Sequence, residues 1–195
     1  MPGASFEAVT GRLGVGAIAF FGLFLIVDGI NVGVFELIEA IGKSVTWGII
    51  GILPTVVVTY IVGVFCLGIA EVLLSRFASF SSPKPDDIIA VSGTDSALLQ
   101  QLYSEHLRNH ELLKGTFVSF LVLAVGCVAE STKMTGSMAI VWLFTAGAVA
   151  LAVLSLVFSG RAARRAGAIA NAAHVRRELP SNRPLQPVSG AGPTS

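Results

Sequence analysis

Residues 22–43 read "GLFLIVDGINVGVFELIEAIGK", an apolar stretch that carries Asp28, Glu36 and Glu39. As one membrane core segment it would hold three acids at hydrocarbon depth, where ionisable groups are rare and costly. Read instead as a helix rising from Arg12, its crossing ends near Gly33. Asp28 then stands about 24 Å above Arg12 at about 1.5 Å per residue, in the outer third of a hydrocarbon layer about 30 Å thick. Glu36 and Glu39 fall beyond that layer. Residues 34–46 become an outer interfacial connector, with Val34, Phe35, Ile38 and Ile41 toward lipid and Glu36, Glu39 and Lys43 toward water.

The composition points the same way. Of 195 residues, 53% are hydrophobic and 13% charged, against about 25% charged in a soluble domain. So few charges cannot cover a water-facing surface, and most of the surface is expected to meet lipid. Four apolar runs stand out, at 13–33, 47–74, 115–129 and 138–159. A helical crossing needs about 20 residues. The third run is short but can borrow Leu112, Leu113 and a snorkelling Lys114. No run shows the period-two alternation of a barrel strand. Arg12 ahead of the first run resembles a signal-peptide start, but no small-x-small cleavage site follows, so a retained helix is expected. Cys66 and Cys127 both lie in apolar runs, which argues against a disulfide framework.

Loop charges orient the chain. With the N terminus in the cytoplasm, eleven of the thirteen Lys and Arg residues fall inside and only Lys43 and Lys133 outside, as the positive-inside rule requires. The expected fold is therefore an all-α, integral membrane four-helix bundle with both termini cytoplasmic, in a membrane of the bacterial inner type. Its segments are a cytoplasmic N terminus (1–12), a first transmembrane hairpin (13–75) containing the 34–46 connector, a cytoplasmic loop and helix (76–113), a second hairpin (114–159), a basic cytoplasmic helix (160–179) and a disordered tail (180–195).

Within 76–113, "SSPKPDD" reads as a turn, since Pro83 and Pro85 disfavour a regular helix. Thr94 or Asp95 can cap a helix that runs unbroken into the third apolar run, leaving about five turns in the cytoplasm. The fourth helix should continue through "RAARRAGAIANAAHVRREL" until Pro180. The third and fourth helices thus both gain cytoplasmic extensions.

Three groups of residues invite a functional reading. Depth counting gathers Asp28, Asn31, Pro54, Thr55 and Thr59 into an intramembrane polar cluster. Leu99, Leu102, His106, Asn109 and Leu113 form a stripe on a helix outside the membrane, which calls for a partner: the basic helix, a second copy of the chain, or a soluble protein on the cytoplasmic side. Arg161, Arg164 and Arg165 directly follow a spanning helix and are placed to meet lipid headgroups. The basic segment 161–179 has no aromatic residue for base stacking, so no nucleic acid is expected. Small residues, among them Gly22, Gly29, Gly33, Gly63, Ala148 and Ala152, suit close helix contacts.

His106 and His110 at i and i+4 have a metal-binding spacing, but three His in the chain are too few for a histidine-box di-iron site, and Leu107 stands where a zinc protease needs Glu. A His pair serving packing or solvation is expected, with no metal and no cofactor. No phosphate-binding loop, nucleophile elbow or dinucleotide fingerprint is present. The sequence therefore favours a non-enzymatic membrane anchor, sensor or scaffold, in a homo-oligomer or with a cytoplasmic protein partner. An oligomeric channel or ion-coupled subunit lined by Asp28 is the alternative.

Overall fold

Long apolar runs that bury all their backbone hydrogen bonds internally can enter lipid only as helices. The computed structural model describes residues 3–30, 39, 45–76, 85–94, 96–131 and 138–178. Among them the chain forms α1 (Gly3–Ile30), α2 (Val45–Leu74), α3 (Pro85–Ser92), α4 (Ala97–Ser131) and α5 (Met138–Glu178), with no strand. All but α3 are long and apolar enough to cross a membrane. Their bulky side chains point outward: Phe65 is 67%, Val72 72% and Leu143 73% exposed. Such a surface has a favourable home only in lipid, and the four candidate crossings suggest a membrane protein. The residues Asn31, Gly33, Glu36, Lys43, Pro83, Asp95 and Lys133, and the tail 180–195, lie outside the described residues. Of the 34–46 connector, Glu39 is described and is exposed, and residues 45–46 already belong to α2.

The helix ends refine the sequence reading. Helix α1 begins at Gly3, well before the first apolar run. Pro85 opens α3 rather than preventing it, because a proline in the first turn gives up an N–H that has no intrahelical partner there. Asp86 and Asp87 in that turn suit the positive end of the helix dipole. The cap of α4 is Ser96, whose Oγ accepts from the Leu99 N–H at 3.4 Å. Thr94 turns back instead, its Oγ1 donating to the Val91 carbonyl at 2.7 Å to close α3. The Gln100 amide ties the two ends together by donating to the Ser92 and Thr94 carbonyls. Beyond this corner, α4 runs 35 residues and α5 41 residues without a break.

Backbone contacts set the helix directions. Gly11 lies beside Leu112, Gly22 beside Leu123 and Gly29 beside Ala129, so α1 and α4 run parallel. Gly16 faces Thr59, and Gly63 faces the Arg12 carbonyl, so α2 runs antiparallel to α1. His110 meets Ser159, so α5 runs antiparallel to α4. Two of these seams require glycine. A methyl on Gly16 would strike the Thr59 carbonyl oxygen, and one on Gly22 would stand 2.7 Å from the Leu123 Cα. Ser119 adds a tie between α4 and α1, its buried Oγ donating to the Val15 carbonyl at 2.9 Å.

Helices α1, α2 and α4 share a core of Val15, Ala19, Cys66, Ala70 and Val118. Helix α5 does not close a four-helix bundle around that core. It packs along α4 and reaches α3, without extended contact to α1 or α2 among the described residues. Its buried residues explain why. Ala148, Ala152, Ser155, Ser159, Ala162, Ala166 and Ala173 make a single stripe of small side chains, which fits one neighbour closely. Helix α3 joins the start of α4 and the end of α5 around a second core of Ala90, Val91, Tyr103, Ala166, Ala170 and Ala173.

Candidate functional site

Between the two apolar cores lies a layer of polar side chains, and it is centred on α4. On the face toward α2, Lys114 is buried, with 3% of its side chain exposed, and its Nζ donates to the Glu71 carboxylate. An ammonium group cannot be desolvated at tolerable cost without such a partner. Lys114 therefore turns inward rather than snorkelling to the surface. Arg12 donates from Nη1 to the Tyr60 hydroxyl at 3.1 Å. Arg12, Glu71, Glu111 and Lys114 line a cleft of about 390 Å³ between α1, α2 and α4. Two cations and two carboxylates alternate there, so the local charges compensate one another.

One turn earlier on α4, on the side toward α5, His110 and Ser159 are both buried. The His110 Nδ1 lies 3.0 Å from the Ser159 carbonyl oxygen and 2.8 Å from Ser159 Oγ. A carbonyl oxygen can only accept, so the contact to it is a hydrogen bond in the tautomer with the proton on Nδ1. Ser159 Oγ then donates to the His110 carbonyl at 3.2 Å. Ser159 has no exposed surface. The pair works as a reciprocal clamp between α4 and α5. A third tie, from His174 Nε2 to Asp87 Oδ1 at 3.3 Å, holds α3 to α5. Tyr103 fills the centre of the second core, and its buried hydroxyl has no hydrogen-bond partner among the described residues.

Next to the clamp, α4 and α5 line a cleft of about 570 Å³. His106, Asn109 and Leu113 line it from α4, and Phe158, Arg161 and Arg165 from α5. Two groups that were separate in the sequence reading thus meet in one place. Leu102 shares the α4 face of these residues, at i−4 from His106, and is 37% exposed. Leu99 departs from the stripe: it is half-buried, one turn before Tyr103. Arg164 is exposed but does not line the cleft. The guanidinium carbon of Arg161 rests 5.5 Å from the centre of the Phe158 ring.

Among its described members, Asp28, Pro54, Thr55 and Thr59, the expected intramembrane cluster is not brought together. Asp28 is buried at 7% exposure, at the level where Gly29 meets Ala129 of α4. Thr59 is buried beside Gly16, which is about 18 Å lower along α1 at about 1.5 Å per residue. Pro54 and Thr55 are exposed. Depth counting could not supply the register of α2 against α1.

Sequence reasoning missed the two central pairs, although a signal for each was present. Glu71 ends the second apolar run and Lys114 begins the third, so opposite charges stood at one depth on two helices. Ser159 closes the fourth run at the depth of His110. Among the described residues no three of His, Cys, Asp and Glu gather as a metal set. No protein-family model, curated protein or solved structure matches the chain.

Proposed function

We propose that this is a non-enzymatic membrane subunit that anchors or scaffolds a complex, with its second helical core as a preformed docking platform in the cytoplasm. The observation that carries this reading is the separate core formed by α3 with the ends of α4 and α5. A helix that only crosses a bilayer has no need of a second core beyond it. The same platform carries Leu98 and Leu102, 67% and 37% exposed, on a segment that the loop charges assign to water. Exposed leucines in water are a disfavoured arrangement unless a partner covers them. The orientation rests on the Lys and Arg distribution, and the shared placement of the α1 start and the α5 end at one pole of the molecule agrees with two cytoplasmic termini.

Extraction in mild detergent followed by particle-mass measurement tests the proposal. Leu98→Ser together with Leu102→Ser should release the partner, or split a homo-oligomer, while membrane insertion survives. Both positions are exposed, so the fold itself should persist. An unchanged particle mass and unchanged co-purification would remove the docking role.

The alternative, a channel or ion-coupled subunit, draws on the buried Asp28. It needs several chains, because α1 and α4 touch through backbone at Gly22 and Gly126, a short way below Asp28. Its expected outcome is distinct. Asp28→Asn would assemble normally and abolish cation or proton flux in liposomes, while Asp28→Glu would keep part of it. In a scaffold, Asp28→Asn leaves assembly nearly unchanged, since membrane hydrogen bonds of this kind contribute about 0.6 kcal/mol. A parent protein that conducts nothing in liposomes would end the channel reading.

A further inference from the structure

We propose that the cleft between α4 and α5 is a specific site for one anionic phospholipid, whose phosphodiester is held by Arg161 and Arg165. The inference rests on the orientation proposed above, which puts this pole at the edge of the bilayer. Because α4 and α5 are antiparallel and in register at His110 and Ser159, the lining can be ordered along the molecular axis. Nearest the spanning segments come Leu113 and Phe158, then Asn109 and Arg161, and outermost His106 and Arg165. That is the order of a phospholipid entering from the membrane: acyl chain, ester and phosphate, headgroup.

The charges select the class of lipid. Two guanidinium groups face one carboxylate, Glu105, so the cleft is net positive. Neither arginine is ion-paired among the described residues. Guanidinium binds phosphate through paired N–H donors, which makes it suited to a fixed phosphodiester rather than to a diffuse negative surface. Phe158 supports Arg161 from below, holding the guanidinium at a defined height. A general attraction of basic residues for an anionic leaflet would draw on Arg161, Arg164 and Arg165 alike. The cleft draws on only two of them.

Native mass spectrometry of the detergent-solubilised protein provides the test, using phosphatidylglycerol and phosphatidylethanolamine with identical acyl chains. Phosphatidylglycerol should bind one per chain and more tightly than phosphatidylethanolamine. Arg161→Gln and Arg165→Gln should each weaken it by about tenfold, the loss expected for a hydrogen bond to a charged group, while Arg164→Gln stays within about twofold. Arg161→Lys should fall between, since the point charge remains but the fork is lost. Gel filtration and helicity identify any variant that has lost its fold. Equal weakening by Arg164→Gln would overturn the site in favour of a general electrostatic field. Equal binding of phosphatidylethanolamine would overturn the anionic selection. Displacement of the lipid by millimolar inorganic phosphate or glycerol phosphate would show a soluble phosphate site instead. Loss of lipid adducts with partner mass retained separates this site from the docking platform, and the Leu98/Leu102 double variant should show the converse.

Discussion

At the scale of single residues, the polar layer is governed by what a buried charge or hydroxyl demands. Lys114 is the clearest case, because its burial is tolerable only while Glu71 accepts from it. Glu71→Gln should lower stability by about 1–3 kcal/mol, less than the 3–5 typical of a fully buried pair, because the Glu71 side chain is 43% exposed. Replacing both groups together, with Glu71→Leu and Lys114→Met, should restore most of the loss. Unfolding by SDS titration measures both. A double variant as unstable as the single one would mean that packing, and not the ion pair, holds this seam. The residues of this layer were legible as types but not as pairs. Composition placed Glu71, Lys114, His110 and Ser159 near one boundary, yet the sequence contains no statement of helix rotation. A turn of one residue about the α4 axis would have sent Lys114 to the headgroups. The rotation is set by the long-range fit of small side chains, which is a property of two helices at once.

At the scale of elements, helix existence and extent were readable, and neighbours were not. The continuity of α4 and α5 past the apolar runs follows from good helix formers and the lack of breakers between residues 97 and 131 and between 138 and 178. Helix α3 was the exception: a turn was expected at Pro85, but a proline obstructs a helix only beyond its first turn. Glycine seams were anticipated in kind, and the tight ones among the described residues are Gly16 with Gly63, Gly22 with Gly126, and Gly29 against Ala129. This yields a sharp contrast. Gly16→Ala or Gly126→Ala should destabilise by about 1–3 kcal/mol, since the added methyl meets backbone that cannot rotate away. Gly14→Ala and Gly68→Ala should be neutral or slightly stabilising, because none of the described residues lies within 4 Å of the new methyl. SDS titration ranks the four. If Gly14→Ala or Gly68→Ala instead lowers the particle mass without unfolding the chain, that face belongs to a contact between copies.

At the scale of the whole molecule, the sidedness of the chain is the claim with the widest consequences. Cysteines introduced at Ser44 and Gly136 should react with a membrane-impermeant reagent from outside intact cells, and those at Ser82 and Ser189 should not. Labelling at Ser82 would invert the platform and the docking proposal with it. The closed bundle expected from four apolar runs gave way to a three-helix core with α5 attached along one side, and the cause lies in the α5 stripe of Ala148, Ala152 and Ser155. Sequence shows a stripe of small residues readily, but it cannot say how many neighbours that stripe will meet. The two continuous helices also give the molecule a mechanical character. Helix α4 is 35 residues long, about 52 Å at about 1.5 Å per residue, and it has no hinge between platform and membrane. Helix α5 is clamped to it at His110 and Ser159. The pair forms a stiff double rod, so in the proposed orientation a tilt imposed on the platform would reappear as a displacement at the far leaflet. A partner docked on the proposed platform would then have a lever reaching the other side of the bilayer.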